Sequence, residues 1–142
     1  PDDGGLVYVR DVALPTMAAA KEWHWMIRTR VQPESCIGSI SLFDQPGNHR
    51  GFWLAPQFQG NGYMREACKV INAYWFDTLM RPLMQVPKAA ANRASRKISE
   101  DEGMRMAETR DGQFVSGPMP VEVWEITRSE WLAEETNRSI DC

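Results

Sequence analysis

The sequence predicts a mixed α/β domain, and three observations predict it. Residues 35–43 and 49–55 alternate as strands on either side of a strong turn signal. Residues 63–80 repeat apolar side chains at helical spacing. Beyond them come a further strand-like run, a shorter capped helix and two late strand-like runs.

Taken in order, residues 1–5 read as a disordered or appended end, and residues 6–11 as a short strand or an irregular lead-in. Thr16 can cap a helix that starts near Met17 and takes in Ala18, Ala19, Ala20 and Lys21. From Trp23 the pattern alternates. Trp23, Trp25 and Ile27 fall on one side, His24, Met26 and Arg28 on the other. That makes residues 23–30 a strand; the alternative carries the helix on to Met26. In the run 35–43, Cys36, Gly38, Ile40 and Leu42 alternate with Ile37, Ser39, Ser41 and Phe43. Both faces carry apolar residues, as in a central strand. Asp44-Gln45-Pro46-Gly47-Asn48 is the turn. Residues 49–55 return as the next strand, and Pro56, with no N–H to donate, ends its pairing.

Met64, Ala67 or Cys68, Ile71, Trp75 and Leu79 form the core stripe of the long helix, which Arg81-Pro82 stops. Residues 83–86 make a short strand bounded by Pro87. Asn92 caps a helix running to about Glu102, with Ser95 in its first turn, and Gly103 ends it. Residues 104–110 and 120–127 are the late strands, with turns at Asp111-Gly112 and around Gly117-Pro118. Ser129 can cap a final helix over 130–135, leaving 136–142 as a polar, frayed tail. With no repeat, low-complexity tract or linker, the 142 residues read as one domain.

Composition narrows the function classes. Hydrophobic content of 43% and charged content of 25% are those of an ordinary globular protein. A net charge of −3 argues against a nucleic-acid surface and suits a cationic amine substrate. Three cysteines, Cys36, Cys68 and Cys142, are odd in number and lack C-x-x-C spacing. They point to a reducing, cytoplasmic setting without disulfides or a zinc site. No apolar run approaches membrane-spanning length, and no signal segment opens the chain.

Chemistry concentrates where residues 51–55 meet the long helix, at Gln57-Phe58-Gln59-Gly60-Asn61-Gly62-Tyr63-Met64-Arg65. Two glycines permit φ > 0, and the first helical turn presents unpaired N–H groups at its positive dipole end. Such a turn is a ready phosphate site, or simply a loop before a helix. Arg65, an unfavourable cation in a first turn, fits a bound anion. The dinucleotide fingerprint is not met: Arg65 stands where its third glycine belongs, and the run 83–86 leads into Pro87-Lys88 instead of an acid.

Gln59-Gly60-Asn61-Gly62-Tyr63-Met64 resembles the Q/R-x-x-G-x-G/A loop of the GNAT acetyltransferases, in the variant Q-G-x-G-Y-M followed by Glu66-Ala67. Asn92-Arg93-Ala94-Ser95, with Ile98, Glu100 and Gly103-Met104, resembles that family's second motif, N-x-x-S-x-x-V-x-E-x-x-G-F. The pairing is typical of the branch that acetylates ribosomal-protein N-termini. It covers roughly residues 36–104. The resemblance implies a GNAT-like fold: a central, mostly antiparallel sheet with flanking helices and a splayed strand pair between which acetyl-CoA threads. It implies that backbone N–H groups of Gln59, Gly60, Asn61, Gly62, Tyr63 and Met64 hold the coenzyme's diphosphate. Main-chain groups around Trp53, Leu54 and Ala55 would pair with its pantetheine arm, and an N–H near Leu54 would polarise the thioester. Asn92 would hydrogen-bond the arm, and Ser95 would lie near the sulfur as the general acid.

The base is less legible. Glu22, His24, His49, Glu108 and Glu122 are candidates, each also readable as a solvated or strand-edge residue. After Met104 the sequence departs from the ribosomal pattern, with Phe114 near where relatives carry an acid. Only about 35 residues precede the strand at Cys36. The family's first strand is therefore absent, degenerate or outside this chain, and an exposed edge would favour a homodimer or mark a fragment. The expected activity is acetyl transfer from acetyl-CoA to a primary amine, on a small molecule or a peptide N-terminus. The alternative is a catalytically degenerate acyl-CoA-binding or interaction module.

Overall fold

A computed structural model describes residues 7–11, 21–114 and 117–141. The chain falls into two units: Pro1–Gln45 with His49–Met80, and Pro46–Asn48 with Arg81–Cys142. Each unit holds one antiparallel sheet.

In the first unit the strands are β1 (Val7–Asp11), β2 (Glu22–Thr29), β3 (Cys36–Phe43) and β4 (Arg50–Leu54), paired in that order. Trp23, Trp25, Ile27 and Thr29 are buried and their neighbours half-exposed, so period two decides for a strand over a continued helix. The helix expected from Met17 lies outside the described residues. Where a missing or degenerate first strand was expected, the five-residue β1 pairs with β2. In central β3, Gly38 is dictated by close approach: a Cβ there would stand 2.3 Å from the Trp53 carbonyl oxygen.

The long helix is α1 (Tyr63–Ala73), and it buries Met64, Ala67, Cys68 and Ile71 as its spacing predicts. It loosens into a π turn over Tyr74–Thr78, where the Leu79 N–H donates to the Tyr74 carbonyl at 2.9 Å. Met80, at φ 56°, ends the run before Pro82.

The second unit orders its strands β5 (Leu83–Ala89), β7 (Gly117–Thr127) and β6 (Arg105–Phe114). Helix α2 (Arg93–Asp101) follows β5 and α3 (Arg128–Asp141) follows β7. At three places this unit differs from what the sequence predicts.

Pro87 does not bound β5. The Ala90 N–H donates to Pro120 and the Arg128 N–H to Pro82, so even-numbered residues of β5 turn their main chain toward β7. Pro87 is odd, and its missing N–H would have pointed away from that ladder.

Asp111-Gly112 is not a turn. Asp111 pairs with Pro120 and Gly112 with Met119 inside a hairpin that reaches Phe114 and Gly117. Only residues 115–116, outside the described set, remain for its connection.

The final helix is longer than 130–135 and starts earlier. Thr127, not Ser129, caps it: its hydroxyl accepts from the Glu130 N–H at 3.1 Å. In return the Glu130 carboxylate accepts from the Thr127 N–H at 2.8 Å. Ion pairs of Arg138 with Glu134 and Glu135 support the turns that had read as a frayed tail.

Candidate active site

Strand pairing decides which main-chain groups of β4 are spent. The Ala55 N–H donates to the Ile37 carbonyl at 2.8 Å, and Trp53 stands opposite Ser39 in the same ladder. Residues 51, 53 and 55 therefore turn their backbone toward β3, while Phe52 and Leu54 turn theirs outward. Of the three positions expected to meet a pantetheine arm, Leu54 alone presents its N–H on the outer edge. Its carbonyl accepts from the Gln59 side-chain amide at 3.0 Å, which ties the following loop back to the strand. Phe52 was not singled out in the sequence; only the register reveals it.

The glycine turn follows. Gly60 and Gly62 hold φ of 82° and 81°. Nothing lies within 4 Å of where a Cβ would stand at either position. The backbone conformation, not crowding, demands glycine. Gly62 is the N-cap of α1, and no side chain caps that helix. Asn61 braces the turn by donating to the carbonyls of Phe58 and Gln59 at 3.3 and 3.4 Å. Residues 59–62 are exposed, Tyr63 is half-buried beside Phe58, and the Met64 side chain is buried, so Met64 can offer a ligand only its N–H. A run of backbone amides around two left-handed glycines fits a diphosphate in shape and charge.

In the second unit, Asn92 caps α2: its Oδ1 accepts from the Ser95 N–H at 3.1 Å. Its Nδ2 keeps two hydrogens to donate. Ser95 is buried on the inner side of that helix.

The base candidates part company. On the half-buried face of β2 and β3, His24 Nε2 stands 3.0 Å from a Glu22 carboxylate oxygen and Nδ1 stands 2.8 Å from Ser41 Oγ. A carboxylate only accepts, so in the neutral ring Nε2 carries the hydrogen and Nδ1 accepts from the Ser41 hydroxyl. This array can take a proton through Ser41, a residue named in the sequence only as part of a strand. His49 instead stacks on Trp75, with centroids 4.9 Å apart. Glu108 is exposed on β6, 3.6 Å from Arg110. Glu122 is buried, accepts from the Trp124 indole at 2.9 Å, and stands 3.0 Å from Arg96 Nε, close enough for an ion pair though not aligned as a hydrogen bond.

The acetyltransferase (GNAT) domain family matches residues 7–105. The chain belongs to that family. GNAT domains use acetyl-CoA as the acyl donor, and the glycine turn and the Asn92–Ser95 turn both lie within the match. Bacillus subtilis YdaF, named as a candidate ribosomal N-acetyltransferase, is 29% identical over 107 residues, 71% of this chain. The chain spans 58% of that relative's length. A spermidine N-acetyltransferase from Vibrio cholerae superposes with TM-score 0.77 at 13% identity, over 89% of this chain and 96% of its own. A ribosomal-protein-S5-alanine acetyltransferase from Vibrio fischeri superposes with TM-score 0.72 at 15% identity, over 82% and 67%. These two show the GNAT fold. No helix among the described residues is long and apolar enough to cross a membrane.

Proposed function

We propose that this chain transfers the acetyl group of acetyl-CoA to a primary amine, on a small molecule or a peptide N-terminus. The observation that carries the reading is the α1 turn, with two left-handed glycines, open space over both, and no side-chain cap on the helix they open. Amides from Gln59 to Met64 would hold the diphosphate. The outward N–H of Leu54 would meet the acyl arm and polarise its carbonyl. Asn92 would donate its remaining amide hydrogens to the arm, and Ser95 would return a proton to the departing thiolate. Holding amine and thioester in line supplies much of the rate through effective concentration. For the ammonium proton, the Ser41–His24–Glu22 array is the best-built acceptor among the candidates, because both ring nitrogens of His24 are already oriented.

Calorimetric titration with acetyl-CoA, followed by thiol release across a panel of amines and peptides, tests this. Micromolar binding with amine-dependent release of free thiol is expected. Binding without release from any amine would favour the alternative, an acyl-CoA-binding module. No binding at millimolar acetyl-CoA would remove both.

A further inference from the structure

Helix α2 is docked in an unusual way. A helix on a sheet normally buries an apolar stripe, yet the residues α2 buries are Ser95 and Ser99, one turn apart on its inner row. Beneath them lies Lys88 of β5, itself only 7% exposed. Its ammonium donates to the Ser95 carbonyl at 2.9 Å and to the hydroxyl of Ser99, which is wholly buried. Directly across the β5–β7 ladder from Lys88 stands Glu122, whose carboxylate lies 3.0 Å from Arg96 Nε on the same helix. Two oppositely charged side chains from neighbouring strands thus each hold one turn of α2.

Burying an ammonium and a carboxylate is an expensive way to attach a helix, and apolar residues of similar size commonly serve stability as well or better. Directional hydrogen bonds do something an apolar stripe cannot. They fix the rotation and the height of the helix rather than merely its contact. The turn they fix is the one that carries Asn92 and Ser95.

We propose that Lys88 is a positioning residue for acetyl-CoA binding: it sets the first turn of α2 so that the Asn92 amide and the Ser95 hydroxyl stand where the acyl arm needs them. The proposal rests on the acetyltransferase reading. It assigns Lys88 no contact with the substrate.

The test is a double-mutant cycle on acetyl-CoA affinity, using the whole chain as wild type, Lys88→Met, Asn92→Ala and the double variant. Each single change is expected to weaken binding roughly five- to tenfold, with the double variant no weaker than the worse single one. Such coupling is the mark of Lys88 acting through the Asn92 turn. Losses that multiply would instead mean that Lys88 only supports the fold, and would overturn the proposal. So would wild-type affinity in Lys88→Met when Asn92→Ala binds less well. Should Lys88→Met not fold, Ser99→Ala removes one of the ammonium's acceptors and replaces it in the cycle, with the same coupling expected at smaller size. Absence of acetyl-CoA binding in the wild type would overturn the acetyltransferase reading along with this one; a binding wild type with an additive cycle overturns this one alone.

Discussion

The three α-helices of the described residues begin in three different ways, and the contrast separates turns that close on themselves from one that does not. At α3, Thr127 and Glu130 satisfy each other's N–H groups reciprocally. At α2, Asn92 accepts from the Ser95 N–H. At α1 the cap is Gly62, in the left-handed region with no side chain to offer. All helices start with orphan donors. Two of these starts answer the problem with their own side chains, whereas α1 has no side-chain cap. Serine or aspartate at a helix start commonly adds about 1 kcal/mol. A helix start that forgoes this at an exposed turn, in a family that uses acetyl-CoA, fits the proposal that those amides hold the coenzyme's diphosphate.

The largest expected effect comes from making α1 resemble the other two. In Gly62→Asp the new side chain tolerates a positive φ better than most residues. It brings a carboxylate to the donors of the first turn, where it would repel a diphosphate. Acetyl-CoA affinity should fall about a hundredfold or more, about 3 kcal/mol, while the melting temperature moves by only a few degrees. Calorimetry and a thermal melt on the same sample decide it. Unchanged affinity would break the contrast at its root.

The reverse change sharpens it. Thr127→Ala strips α3 of its cap and should cost about 1 kcal/mol, or about 4 °C in Tm, with no change in KM for acetyl-CoA. A shift in KM would mean that this helix start also serves the ligand.

How much of this was legible without the fold depends on the range of the interaction. The glycine turn, the α1 stripe from Met64 to Trp75 and the Asn92 cap are local patterns, and each was readable. The pairing of Pro87 was not. Whether a proline breaks a strand depends on which way its nitrogen points, and that is fixed by Ala90 meeting Pro120 thirty residues away. Asp111-Gly112 carries a strong local turn signal, yet the hairpin register set by Val121 and Val123 runs through it. Ser129 is a capping residue by type, but the reciprocal bonds between Thr127 and Glu130 set the start of α3. In the candidate site the same division holds. Gly60 and Gly62 stand out as a turn before a helix and Asn92 as a cap, whereas a ligand role for Asn92 and Ser95 comes only from the resemblance to the family's second motif. Ser41 beneath His24, the outward edge at Phe52 and Leu54, and Lys88 beneath Ser99 exist only through cross-strand or strand–helix contacts that no short window contains.

The smallest effect concerns the charge in the self-closed start of α3. Glu130 is bridged by Arg105, whose guanidinium reaches both carboxylate oxygens at 2.5 and 2.6 Å, and it also accepts from the Thr127 N–H. Arg105 first, and that N–H second, hold its carboxyl at about 2 against an ordinary 4.5. Because the folded state lowers this value, Glu130 contributes stability that is full above pH 4.5 and disappears as pH falls toward about 2. The groups are solvent-exposed, so screening keeps the contribution within about 1 kcal/mol. Glu130→Gln should therefore lower Tm slightly at pH 7, and the gap from wild type should close as the pH is taken from 4.5 to 2, with added salt narrowing it at neutral pH. Acetyl-CoA affinity should not respond at any pH where both proteins are folded. A gap that widened on acidification would mean that Glu130 stabilises the fold through its protonated form, and the ion pair with Arg105 would lose its place in the account of this helix.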